Sequence, residues 1–284
     1  MKAGVDTRLP QLVPPADEAL VVGRAMHEAA TSPGKRLRPA LVLLVAEAFG
    51  ASSARLLDAA CIVELVHGAS LVLDDLPCMD DAELRRGRPT LHRQFGEAVA
   101  VLAAFALLGR AQSLLPDALA TAGVVPAHRA TLIRRLAEVV ETMCHGQALD
   151  LGAVRPARTL DDLEAIHAGK TGALFVLAAE FGAVAAGITD SRLEALRAYA
   201  RNLGLAFQVG DDLLDASSSR ERLGKPAGRD RALGRVTFVS LLGPAGAATI
   251  RDELLDAAIG TLDPLGDGAV LLVSLANHVR TRTA

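Results

Sequence analysis

Apolar residues recur three and four apart along most of the chain, as in Leu56, Ala60, Val63, Val66 and Leu73. That spacing lines one face of a helix. It predicts helices over 17–31, 39–49, 54–75, 94–114, 126–149, 159–166, 171–186, 190–216, 236–242, 246–260 and 265–280. Ser32-Pro33-Gly34 and Gly50 supply stop signals, and Ser52 or Ser53 a helix cap. Residues 80–90 are polar and read as a loop. Nowhere does strict polar–apolar alternation last long enough to argue for a sheet. No Gly, Ser or Pro linker divides the chain, so 1–284 reads as one all-α domain, with the Pro-rich residues 1–16 as an N-terminal arm.

Composition narrows the picture. Aromatic residues make up only 3% of the chain, so its apolar half is mostly Ala, Leu and Val, which favours helices over a β-sandwich. A net charge of −3 argues against a broad basic surface for nucleic acid. Cys61, Cys78 and Cys144 match no zinc spacing and cannot all pair, which points to a reducing, cytoplasmic setting. The N-terminal residues lack a signal-peptide apolar core. The longest uninterrupted apolar run, Ala98–Gly109, is shorter than the roughly 20 residues that cross a bilayer, so no membrane span is expected.

The chemistry lies in two acidic clusters, each closing a long helical pattern. The first runs Asp74-Asp75-Leu76-Pro77-Cys78-Met79-Asp80-Asp81. Pro77 breaks the helix there, which lets Asp74 and Asp80 approach a common point. In the second, Asp211-Asp212-Leu213-Leu214-Asp215, residues 211 and 215 share a helix face and repel unless a cation sits between them. One acidic pair often does no more than solvate a helix end. Two clusters, each following residues that belong in a core, suit hard cations such as magnesium, which completes its shell with phosphate oxygens. Basic runs lie near them in sequence: Gly34-Lys35-Arg36-Leu37-Arg38-Pro39, Arg85-Arg86-Gly87-Arg88, Lys170-Thr171-Gly172 and Gly224-Lys225-Pro226. Arginine forks and lysine charges match diphosphate oxygens.

The motifs GKRLRP (34–39), LDDLPCMDD (73–81), LRRGRPTLH (84–92), GQALDL (146–151), KTGALF (170–175) and FQVGDDLLD (207–215) together resemble the trans-polyprenyl diphosphate synthases. The segment 75–92 with FGEAVAVLAAFALL after it is most similar to bacterial geranylgeranyl diphosphate synthases of carotenoid pathways. The resemblance implies a bundle of many helices around a central cavity, working as a homodimer. It implies magnesium-dependent, head-to-tail condensation of isopentenyl diphosphate with an allylic diphosphate. It assigns Asp74, Asp80 and Asp211 as ligands of a three-magnesium cluster, supported by Asp75, Asp212 and Asp215. By the same resemblance Arg85, Lys170 and Lys225 hold the allylic diphosphate, with Thr171 and Gln208 beside it. Lys35, Arg38, His67 and Arg86 hold isopentenyl diphosphate next to Gly34.

The tail of the product is expected to run down the helix that ends at Asp74. Ala69 and Ser70, five and four positions back and so about 6–8 Å below it, are the expected cavity floor. A methyl group at 69 predicts the geranylgeranyl length; a farnesyl diphosphate synthase is the alternative. Where the family often has Gly-Asp, this chain has Ala104-Phe105, and Phe105 is a second candidate for filling the cavity. Arg229 and Arg235 stand where the family has lysines. Arg280 and Arg282 read as a solvated tail, with closure over the diphosphates as the alternative. A non-catalytic partner subunit is expected to lack the acidic motifs, and a terpene cyclase has no need of GKRLRP.

Overall fold

The computed structural model describes residues 1–15, 20–153, 155–217 and 236–282. Helices dominate: α1 (Lys2–Leu12), α2 (Val21–Thr31), α3 (Leu37–Ala48), α4 (Leu57–Asp74), α5 (Leu91–Phe95), α6 (Glu97–Thr121), α7 (Pro126–Asp150), α8 (Leu160–His167), α9 (Ala173–Ala185), α10 (Ser191–Ser217), α11 (Phe238–Gly260) and α12 (Val270–Arg280).

The core helix is α4. Its residues are apolar on nearly every side, and ten of its eighteen are buried, as befits a helix surrounded by protein rather than lying on a surface. Helices α1, α2, α3, α6 and α9 pack around it, and α10 packs on α9 and α11. The single tyrosine, Tyr199, is fully buried and donates its hydroxyl to the Leu272 carbonyl at 2.7 Å, which ties α12 onto α10. The continuous core extends to Val5, Leu9 and Leu12 of α1.

Four expectations change. Residues 2–12 of the supposed arm form a helix, because Val5, Leu9 and Leu12 make a buried stripe despite Pro10. The 80–90 loop contains a two-stranded antiparallel hairpin, β1 (Leu84–Arg85) and β2 (Arg88–Pro89), with Arg85 opposite Arg88. Arg86 and Gly87 at its tip have φ of 53° and 78°, the handedness that tight hairpins need. Phe105 does not enter a cavity: it lies on the outer face of α6 and is 67% exposed. Finally, three stretches are long and apolar enough to cross a membrane by length and composition: Ser53–Asp74, Glu97–Thr121 and Leu160–Ala185. The run-length criterion misses them because isolated polar residues interrupt each one.

Candidate active site

The first acidic cluster is shaped by backbone hydrogen bonds. Past Asp74 the chain folds back, with Asp80 N donating to Asp74 O at 2.9 Å and Ala82 N to Asp75 O at 3.0 Å. Pro77 lies inside this turn, where its missing N–H costs no helical bond. Asp74 and Asp80 are thereby brought together, and Asp75 is turned the other way. Only 4% exposed, Asp75 grips Arg85 on β1 with both oxygens, at 2.6–2.8 Å. Burial, with repulsion from Asp80, pushes the Asp74 carboxyl up to about 6 against the pull of Lys170 and Arg85.

That shift has a consequence with a defined sign. A carboxyl whose pKa is raised by folding from 3.8 to about 6 is stabilising when protonated, and its ionised form weakens the fold as pH rises through that window. Asp74→Asn should therefore stabilise the metal-free protein at neutral pH by roughly 3 kcal/mol. The gain should vanish near about pH 3, where Asp74 is protonated in both states. Thermal melts in chelator at the two pH values measure it; an equal gain at both would mean that the charge is not the cause.

Lys170 sits in a π-turn, Ala168–Gly172, between α8 and α9. Such a bulge re-aims side chains out of the regular helical register. Its ammonium meets Asp150 of α7 at 2.6 Å. The turn lies against α7 where Gly146 stands: a Cβ there would overlap Lys170 N. Gly146→Ala should thus cost about 1–3 kcal/mol by overpacking, read as a lowered urea midpoint. An unchanged midpoint would show that the turn moves freely. From the same turn a hydrogen-bond chain leads to the second acidic cluster. Thr171 Oγ1 donates to Gln208 Oε1 at 3.2 Å, and Gln208 Nε2 to Asp212 Oδ1 at 3.0 Å. Phe238 N donates to Asp212 Oδ2 at 3.2 Å. Asp212 is thus a buried bracket between α10 and α11. Asp215 is also buried, one turn after Asp211.

The basic residues divide. Arg36 takes a left-handed φ of 55° at the start of α3. Its guanidinium is consumed by Asp6 at 2.8 Å, Glu64 at 2.6 Å and the Ser32 carbonyl at 2.7 Å, so it locks the loop to α1 and α4. Arg38 lies 4.6 Å above the Phe175 ring. Burial, together with Arg86, brings its pKa down to about 10 although Glu64 and Asp211 draw it up. The half-buried His67 is held well below its usual pKa by burial and by Arg38, Arg86, Arg85 and Arg36 around it, and is neutral. His67, Arg85 and Arg86 line one cavity of about 50 Å³. Arg86 also donates to the Pro33 carbonyl. Gly34 leaves room for two guanidinium groups: a Cβ there would sit 2.8 Å from Arg36 Nη1 and 2.9 Å from Arg86 Nη1. Lys35 is exposed. Lys225, Arg229 and Arg235 lie outside the described residues.

A second, mostly apolar cavity of about 230 Å³ opens below Asp74 and Lys170. Val66, Ser70 and Leu73 of α4 form one wall; Leu108 of α6 and Val140, Met143, Cys144 and Gln147 of α7 form the other. Ser70 lines this cavity. Ala69 does not: it is fully buried in the core and is not part of the cavity wall. At about 100° per residue, adjacent positions point to different sides of α4.

Three residues around the predicted ligands escape the motif-by-motif assignment. Asp150 pairs with Lys170, and Gln147 of the same GQALDL segment lines the cavity with its Oε1 buried and unpartnered among the described residues. Arg282, expected in a solvated tail, instead pairs with Asp211 and is 7% exposed. Its only sequence signal is positive charge at the C-terminus.

The donors at both acidic clusters are carboxylate oxygens. Among the described residues no group of three or more His, Cys, Asp or Glu side chains is placed to hold a metal ion by itself. A hard cation that takes one or two carboxylates and fills its shell from a bound phosphate fits such a site. It would also offset the charge repulsion around Asp74.

The profile of the polyprenyl synthetase family matches residues 20–263. A geranylgeranyl diphosphate synthase of Pantoea ananas is 41% identical over 246 residues, covering 85% of this chain and 79% of its own. The crystal structure of geranylgeranyl pyrophosphate synthetase from Pyrococcus horikoshii superposes with a TM-score of 0.86 at 29% identity, covering 99% and 96%. A geranyltransferase of Helicobacter pylori, crystallised with magnesium and isoprenyl diphosphate, superposes with a TM-score of 0.79 at 34% identity, covering 91% and 86%. With the matched profile spanning both acidic clusters and the helices that carry them, the chain belongs to the polyprenyl synthetase family.

Proposed function

We propose that this chain condenses isopentenyl diphosphate with allylic diphosphates, head to tail, and releases geranylgeranyl diphosphate. The observation that carries it is the 230 Å³ apolar cavity headed by Asp74 and Lys170, a shape for an amphiphile with an anionic head and a hydrocarbon tail. Asp74, Asp80 and Asp211 hold magnesium, three ions by the family likeness. Magnesium supplies positive charge to the oxygens of the departing diphosphate. Arg85, fixed by Asp75, and Lys170, fixed by Asp150, add fixed charge on the same leaving group. Lys225 is assigned there by resemblance alone. Neutral His67, with Arg38, Arg86 and Lys35, orients the isopentenyl diphosphate, whose double bond forms the new carbon–carbon bond as the allylic carbon–oxygen bond breaks. The proton lost afterwards passes to the departed diphosphate. Val66, Leu73 and Met143 keep water from the cation. The Gln208–Asp212 bracket keeps Thr171 and the π-turn in register with Asp211.

The chain acts as one domain and as a homodimer. Leu102 and Phe105 are 55% and 67% exposed on α6, and a second copy would cover them. The three long apolar helices belong to the bundle and do not span a bilayer; two of them are mostly buried inside it, at 61% and 67%. The enzyme works in the cytoplasm with free thiols and, by the likeness of residues 73–92, feeds carotenoid formation. Incubation with magnesium, isopentenyl diphosphate and each allylic diphosphate in turn, followed by chromatography of the products, tests the proposal. A geranylgeranyl product is expected. No elongation from any starter would refute the activity, and a product that stops at farnesyl diphosphate would refute the length.

A further inference from the structure

Arg282 is an unusual C-terminal residue. Its guanidinium pairs with the Asp211 carboxylate and lies 4.3 Å above the ring of Phe207, one turn before Asp211 on α10. Only 7% of its side chain is exposed. The position is held from behind: Arg280 pairs with Asp252 and Asp256 of α11, and Tyr199 fixes α12. Phe207 tilts against Phe175 at 5.7 Å, and Phe175 carries Arg38. Two arginines thus rest on one aromatic pair, both within the field of Asp211. Neither is saturated. Among the described residues, Arg282 Nε and Nη1 and Arg38 Nε are buried with no hydrogen-bond partner. Such donors are costly to leave unmet, so they mark a place where an acceptor belongs.

We propose that Arg282 is a stand-in cation: it neutralises Asp211 in the metal-free enzyme, yields that carboxylate to the metal, and then offers its unpartnered N–H groups to a diphosphate oxygen. The inference rests on Asp211 being a metal ligand. The guanidinium takes one oxygen of Asp211 and sets a positive charge where a cation would bind, so tail and metal compete electrostatically for that carboxylate. The stack on Phe207 keeps the released guanidinium beside the site. Diphosphate then compensates Arg282 for the lost partner, which makes metal and diphosphate bind cooperatively. By linkage the effect is mutual.

Manganese(II) titration of the full chain by electron paramagnetic resonance, with and without inorganic pyrophosphate, tests the exchange. Without pyrophosphate, Arg282→Gln should bind manganese roughly five- to tenfold more tightly than the wild type. A chain ending at Thr281 should behave alike, which separates the effect from misfolding of one variant. Arg282→Lys keeps the charge but not the fork or the stack, and should fall between. Pyrophosphate should tighten manganese binding less in Arg282→Gln than in the wild type. Unchanged manganese affinity in both Arg282→Gln and the shortened chain, with affinity lost in Asp211→Asn, would overturn the exchange alone. Wild-type affinity in Asp211→Asn would overturn both the exchange and the assignment of Asp211.

Discussion

Asp74→Ala and Asp211→Ala should each lower kcat by about a thousandfold or more, with the helical circular dichroism spectrum intact. A factor of that size corresponds to about 4 kcal/mol of lost transition-state stabilisation. Asp74 ends α4, which is anchored in the core, and Asp211 lies in the last two turns of α10, which packs against α9 and α11, so neither change should unfold the protein. Asp74 also faces Lys170 and Arg85. Its removal leaves those cations without the metal that would bridge them to the leaving group. Asp75→Ala acts differently, because Asp75 grips Arg85; its loss should raise the KM for the allylic substrate as well as lower kcat. Steady-state kinetics with saturating magnesium distinguishes the two patterns. Near-normal kcat in Asp211→Ala would exclude the second acidic cluster from the metal site.

Ser70→Phe should shift the main product from the geranylgeranyl to the farnesyl length. Ser70 lines the apolar cavity below Asp74, opposite Val140 and Met143 of α7. A ring there would close the channel while leaving the first condensation possible. Ala69→Phe makes the contrast. The Ala69 methyl is packed in the core, so a ring at 69 should cost about 1–3 kcal/mol by overpacking and should not shorten the product in proportion. Chromatography of the dephosphorylated alcohols, beside thermal melts of both variants, separates the effects. A geranylgeranyl product from Ser70→Phe would show that the tail runs elsewhere.

Much of the site was legible because its signals are local. The helix over 126–150 was within one residue of its observed limits, since a helix repeats every few residues and needs no distant partner. The approach of Asp80 to Asp74 followed from Pro77 alone. The division of labour between neighbours was not legible. Asp74 and Asp75 are the same residue type in sequence, yet one meets the cavity and the other a half-buried arginine. The same holds for Arg36, locked to Asp6 and Glu64, against Arg38 two positions on, whose Nε has no partner among the described residues. Which side of a helix a residue faces depends on phase, and phase is fixed by the helices packed around it.

The amino-acid sequence by itself determined the all-α class, the two acidic helix ends, the basic runs near them and, through six ordered motifs, the family resemblance, because each is carried by residues close together in the chain. Only the tertiary structure decided that residues 2–12 fold back as a helix, that Ser70 rather than Ala69 meets the cavity, that Phe105 lies outside, and that Arg282 reaches Asp211 across 71 positions. Those outcomes depend on contacts between segments far apart in sequence, and no local periodicity encodes which of many apolar or charged surfaces will meet.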